Sequence, residues 1–214
     1  MARITILGGT GYAGAAVVAE GQRRGHEVVA VSRTAPTSPI AGVEYVTGSA
    51  LDSGILDRVV PGSDVVVEAV SPRGDMAGQE EGLVDELIAR ITGTPTRLGV
   101  IGGASSLLVR EGGPRLFDAH RPPPEVLPEV ETGMRVLETL QHSAEALDWF
   151  YLSPPAEFGA WVPAPDTGSY RLGGDILLTD DDGRSVISAA DLARAVVDEI
   201  ETPTHRRRRF HVAH

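Results

Sequence analysis

The chain has 214 residues, 42% of them hydrophobic and 5% aromatic, with a formal charge of −11. That length and composition suit one soluble globular domain with a substantial core, and the acidic balance argues against general nucleic-acid binding, which depends on neutralising phosphates. The absence of cysteine excludes disulfides, thiol nucleophiles and thiolate metal sites; the absence of lysine (all 19 basic residues are Arg) excludes a P-loop and Schiff-base chemistry.

Apolar runs then alternate with helical patterns. Residues 3–8 (RITILG) read as a buried strand, and residues 11–25 as a helix ending at Gly25. Residues 26–33 are a second strand, followed by a polar loop containing proline, and 43–48 a short third strand leading into a short helix. Residues 63–72 (SDVVVEAVSP) are nearly continuous in valine, so a fourth strand covered on both faces is expected. Leu83, Leu87 and Ile91 put an apolar stripe on a helix over 77–92, and 96–103 form a fifth strand. A long loop rich in Gly and Pro precedes a helix over about 129–147, marked by Val130, Met134, Leu137 and Leu140. A sixth strand (148–155), short strands near DILLT and RSVIS, a helix over about 189–200 and a closing RRFHVA strand complete the chain. Ser188 and Asp191 give the last helix a start resembling a capping box.

This alternation predicts an α/β fold, a doubly wound parallel sheet of Rossmann-like type. No clean boundary is visible. Residues 1–214 read as a single domain, with 154–214 contributing a small C-terminal subregion on the substrate side. No apolar run reaches membrane-spanning length, and the opening MARITIL lacks a cleavable signal pattern. A cytoplasmic location without a membrane partner is therefore expected. The Arg206–Arg209 run reads as the solvated edge of a terminal strand rather than a nucleic-acid patch.

Gly8, Gly11 and Gly14 are spaced G-x-x-G-x-x-G, directly behind the first strand and opening the first helix. In that setting the first glycine allows a tight turn and the second lets the backbone approach a pyrophosphate. The third lets the helix pack against the sheet. The pyrophosphate would sit at the positive end of the helix dipole. At the exit of the second strand an NAD site typically carries an acid, whereas this chain has Ser32 and Arg33. Arg33 offers a planar donor fork suited to a 2′-phosphate, which favours NADP (NADPH) over NAD. The competing reading is an ordinary solvent-facing arginine.

These residues resemble the NAD(P)H-binding, NmrA-like branch of the atypical short-chain dehydrogenases, the group that includes the flavin and biliverdin reductase type. GGTGYAG, SDVVVEAV, VIGGASSL, WFYLSPPAEF and the segment from Gly168 to Glu201 carry the resemblance over nearly the full length. It implies that Thr10, Gly11, Tyr12 and Ala13 line the pyrophosphate and that Arg33 meets the 2′-phosphate. It further implies Ala69 and Val70 near the adenosine ribose region, Gly102 and Gly103 near the nicotinamide ribose, and Pro154, Pro155 and Ala156 beside the carboxamide. Ser49 stands where relatives often carry an Asp facing the adenine, which puts that contact in doubt.

The Tyr–Lys–Ser machinery usual in short-chain dehydrogenases is absent, because no Tyr lies between positions 46 and 150 and no Lys exists. Hydride transfer to an electron-poor acceptor can rest on the cofactor and its orientation. Ser105, Ser106 and His120 are the candidate catalytic residues, each equally readable as an ordinary loop residue. Tyr170, Arg171 and Trp161 are candidates for lining the acceptor pocket. Two readings compete: an NADPH-dependent oxidoreductase acting on a small flavin- or quinone-like acceptor, and a non-catalytic NADP(H) sensor acting through a protein partner. An epimerase or dehydratase is disfavoured by the missing Tyr-x-x-x-Lys pair. No metal-ligand spacing is present.

Overall fold

The computed structural model describes the backbone of residues 1–214 and every side chain except that of Asp75. The apolar runs form strands Arg3–Leu7 (β1), Glu27–Ser32 (β2), Val43–Thr47 (β3), Val65–Glu68 (β4), Arg97–Ile101 (β5), Trp149–Ser153 (β6), Arg171–Gly173 (β7) and Arg208–Ala213 (β8). The helices are Tyr12–Arg23 (α1), Ser53–Val59 (α2), Glu80–Ile91 (α3), Leu116–Ala119 (α4), Leu127–Gln141 (α5) and Ala189–Glu201 (α6).

The strands make one sheet in the order β3-β2-β1-β4-β5-β6-β8-β7, parallel throughout except for the β7–β8 pair. The chain order reverses between β1 and β4, the crevice where ligands bind in sheets of this kind. Alternating strand side chains feed two cores. Val29, Val31, Val66, Leu98, Val100, Trp149 and Tyr151 pack under α2, α3 and α5. Ile4, Ile6, Val28, Val67, Phe150, Leu152 and Phe210 pack under α1 and α6. Both faces are covered, which is why the central strands read as unbroken apolar runs.

The structure corrects several local expectations. The helix expected to run to 147 stops at Gln141, where His142 Nδ1 and Ser143 Oγ bond the Glu138 and Leu140 carbonyls, 2.8 and 2.6 Å away. DILLT and RSVIS contribute only isolated bridges, Leu108 to Ile176 and Glu157 to Val186. The closing strand is not an edge: β8 lies between β6 and β7. Three of the four arginines at 206–209 have partners in the fold, and Arg208 is exposed. Arg209 is bound to Asp175 and Ser106, and Arg207 donates to the Ser143, Ala144 and Leu147 carbonyls. Arg206 pairs with Asp148. Ser188 does cap α6, accepting from the Asp191 amide at 3.0 Å. Among the described residues no helix is long and apolar enough to cross a membrane.

Candidate cofactor-binding cleft

β1 ends at Leu7 and the chain turns at Gly8, whose φ of +87° lies in the left-handed region. The Gly8 and Gly9 amides both donate to the Val31 carbonyl, at 2.9 and 3.0 Å, and the Gly11 amide returns to the Gly8 carbonyl. A Cβ on Gly8 would stand 2.7 Å from the Ala69 carbonyl oxygen, and one on Gly14 would overlap the Gly8 carbonyl. Gly9, which the glycine spacing passes over, is constrained too: its Cβ would lie 2.8 Å from that of Ala30. Gly11 stands at the N-cap of α1, with no side-chain cap bond and no acid in the first turn. Among the described residues the Tyr12, Ala13 and Gly14 amides donate no hydrogen bond within the protein. Three N–H groups are thus left at the positive end of the helix, an arrangement that receives an anion.

The other residues singled out for the cofactor lie at the same end of the sheet. Thr10 and Tyr12 are exposed, Ala13 half-buried, and Arg33 leaves the end of β2 with an exposed side chain. Ala69 and Val70 follow β4 and are half-buried. Gly102 and Gly103 follow β5 and carry a close packing contact: a Cβ on Gly102 would overlap the Tyr151 hydroxyl, which accepts from the Gly103 amide at 3.0 Å. Pro154 and Pro155 are buried behind β6, while Ala156 is exposed and donates its amide to Ser185 Oγ. Ser49 accepts from the Leu51 amide, a local turn bond.

The catalytic candidates diverge. The Ser105 hydroxyl makes no hydrogen bond among the described residues, and its carbonyl accepts from the Phe117 amide. Ser106 Oγ accepts from Arg209 Nη1 at 2.7 Å, which ties it to the sheet. His120, just past α4, is exposed. Tyr170 precedes β7, whose first residue, Arg171, pairs with Ala213 at the end of β8, and its hydroxyl donates to Asp198 Oδ2 of α6 at 2.6 Å, a packing and capping role. Arg171 likewise holds the Thr179 and His214 carbonyls. Trp161 is 66% exposed, with the Arg73 guanidinium 5.0 Å from its ring centre, and Arg73 also pairs with Glu129. Phe158, which the sequence did not single out, contacts the Tyr12 ring at 5.2 Å and brings the 154–162 segment against the cradle.

Sequence reasoning also passed over two acids. Glu68 ends β4 fully buried, and Glu80 lies in the first turn of α3, 2% exposed. Glu68 Oε1 accepts from the Val70 amide at 2.7 Å, but its Oε2 and the Oε2 of Glu80 have no hydrogen-bond partner among the described residues. Burial, then repulsion from Glu80, pushes the Glu68 carboxyl well above its ordinary range. Burial, followed by Glu129 and Glu81, pushes Glu80 up to about 7.

Two hollows lie away from the cradle. One of about 250 Å³ is lined by Tyr170, Asp198, Glu199 and Phe210, and one of about 520 Å³ by Glu81, Ile88, Arg135 and His142. Asp198, Glu199 and Glu81 are already ion-paired to arginines, so neither hollow rivals the cradle as an anion site. Among the described residues no group of three or more His, Asp or Glu could hold a metal.

The family model described as NAD(P)H-binding matches residues 8–203. YwnB, an uncharacterized protein of Bacillus subtilis, is 37% identical over 216 residues, covering 98% of this chain and 97% of its own. A candidate NADH-flavin reductase from Streptococcus pneumoniae superposes with a TM-score of 0.87 at 29% identity, over 100% of this chain and 99% of that one. A candidate epimerase from Bacteroides thetaiotaomicron gives 0.85 at 30% identity, over 100% and 97%. A glycine cradle at a strand-to-helix turn, on a sheet of this topology, is the feature such a family requires, and the chain belongs to the NAD(P)H-binding family.

Proposed function

We propose that the protein is an NADP(H)-dependent reductase that passes hydride to a planar, electron-poor acceptor such as a flavin or quinone. The observation that carries the proposal is the pairing of a dinucleotide cradle with an aromatic rim, exposed at Tyr12 and Trp161 and half-buried at Phe158. Tyr12 and Phe158 meet beside the cradle, and Trp161 with Arg73 extends the rim toward the exit of β4. The Tyr12, Ala13 and Gly14 amides would hold the pyrophosphate, and Arg33 the 2′-phosphate. When bound, the dihydronicotinamide supplies the hydride. The chain's part is to hold the two flat rings together and keep water from between them, Trp161 serving as a stacking surface.

The candidate reductase of Streptococcus pneumoniae supports this choice over epimerisation. So does the composition, since no lysine is available to lower the pKa of a catalytic tyrosine. That same lack favours the second reading, an NADP(H) sensor. Tyr151 is buried against the Gly103 amide and Gly133 carbonyl, and Tyr170 is bound to Asp198.

Mixing the protein with NADPH and a panel of flavins, quinones and redox dyes, and following nicotinamide absorbance, separates the two. The reductase reading expects turnover of at least one acceptor; tight NADPH binding with no turnover overturns it in favour of the sensor. The chain's two tryptophans give a second readout, because Trp149 is buried and Trp161 exposed. The acceptor should quench Trp161, and Trp161→Phe should remove most of that quenching. Arg33→Ala should weaken NADP⁺ binding by tenfold or more while leaving NAD⁺ little changed, as expected for loss of a charge-assisted contact of about 1.5–3 kcal/mol. Equal losses for both cofactors would refute the role given to Arg33.

A further inference from the structure

We propose that Glu68 is a positioning residue for the cofactor cleft: with Glu80 it forms a proton-holding carboxyl pair that pins the exit of β4, so that cofactor affinity is lost when the pair ionises. The inference rests on the cradle being the dinucleotide site. It begins from geometry. Leu7, Glu68, Val100, Tyr151 and Arg209 lie in one row across β1, β4, β5, β6 and β8, with Glu68 at the carboxyl end of its strand. Its Oε1 holds the Val70 amide, two residues on, at 2.7 Å. Between them Ala69 presents the carbonyl oxygen that a Cβ on Gly8 would approach to 2.7 Å. The carboxyl therefore sets the short stretch of backbone against which the first glycine of the cradle is seated.

The surroundings leave that carboxyl no cationic partner. Just past β4 it receives the Val70 amide and from α3 it meets Glu80; Glu81 of α3 and Glu129 of α5 face Glu80 in turn, and the Tyr151 hydroxyl of β6 lies between this pair and Arg209 of β8. Arg209 is committed to Asp175 and Ser106, and the exposed Arg73 to Glu129. The Tyr151 proton is committed to the Gly133 carbonyl. Two buried carboxyls with one orphaned oxygen each are compatible with a protein interior only while protonated. Ionising them places uncompensated charge directly behind β4, where it repels the neighbouring carboxyl and the phosphates of a bound dinucleotide alike. Both effects act in one direction: binding favours the protonated pair, so affinity falls as pH rises.

The test is NADP⁺ binding by calorimetry from pH 5.5 to 9 for the wild type, Glu68→Gln and Glu80→Gln, each checked for fold by circular dichroism. Gln is a neutral isostere that keeps an acceptor for the Val70 amide. Relative to Glu68→Gln, wild-type affinity should fall on the order of tenfold as pH rises through neutrality. The cofactor's own phosphate titration is common to all three proteins and cancels in their ratio. In the wild type the Val70 amide resonance should titrate with the same midpoint, a signature that mere packing would not give. A wild-type affinity indifferent to pH, or variants as pH-dependent as the wild type, overturns the inference and leaves the cofactor reading standing. Failure of the wild type to bind NADP⁺ or NAD⁺ at any pH overturns both.

Discussion

The two ends of the sheet handle buried charge in opposite ways. At the amino end Arg97 opens β5 with its side chain 6% exposed, facing Glu199 of α6 at 2.7 Å. Its guanidinium also donates to the Glu199 and His205 carbonyls and lies 4.7 Å from the Phe150 ring centre. Burial alone would push the Glu199 carboxyl up, but the His205 amide and Arg97 outweigh it and hold the group below its ordinary range. Nearby, Arg24 gathers Glu20, Asp198 and Glu201. At the carboxyl end Glu68 and Glu80 have repulsion in place of a partner, and the His211 Nε2 and Ser153 Oγ atoms are buried without one. One end is a clasp whose charges are paired, although Arg97 Nε, Asp148 Oδ1 and Trp149 Nε1 there lack a hydrogen bond among the described residues. The other holds two carboxyls near the cradle that repel each other, where positions that work on ligands are commonly less than optimal for stability.

Breaking the matched end should cost most. Arg97→Ala leaves Glu199 buried without its guanidinium, and denaturant unfolding should show a loss of about 3–5 kcal/mol. At the other end the sign reverses. A carboxyl raised to about 7 in the fold, against 4.5 in the open chain, stabilises below pH 4.5 and loses that contribution as pH climbs through 7. Glu80→Gln should therefore raise stability at pH 8 by up to roughly 3 kcal/mol and change little at pH 4.5, measured as thermal midpoints across pH. If the variant tracks the wild type at every pH, the carboxyl end is not strained as described. The smallest effect belongs to Ser188→Ala at the start of α6, which removes a cap bond to the Asp191 amide and should cost about 1 kcal/mol in the same unfolding assay.

Much of this contrast was written in local pattern, and part of it was not. The valine run of β4 announces a strand covered on both faces, and the glycine spacing announces a turn and helix start; both depend on neighbours a few residues away. The acid within that run, Glu68, was visible too, but its meaning depends on Glu80, twelve positions on at the start of a helix. Their proximity is set by how α3 packs on the sheet, which no periodicity encodes. Whether Tyr170 lines a pocket or packs and caps was open for a similar reason, since its bond to Asp198 depends on how α6 lies on the sheet. β7 escaped notice because three residues beside glycines form a strand only when β8 lies alongside. At Arg33 the sequence supplied a donor fork at the exit of β2, and the fold leaves its side chain exposed there.

The order β6-β8-β7 bears on how the molecule assembles. β7 has no sheet neighbour except β8, and β8 comes 35 positions after the last residue of β7, Gly173, beginning at Arg208. The first six strands can pair as the chain leaves the ribosome, while β7 waits for a strand not yet made. Meanwhile β6, with Trp149, Phe150 and Tyr151 destined for the interior, is an open edge. Arrival of β8 closes that edge, and Arg207 fastens it by gathering three carbonyls just beyond α5. The arginine run that read as a solvated strand edge thus fastens the strand that closes the sheet, through Arg206, Arg207 and Arg209.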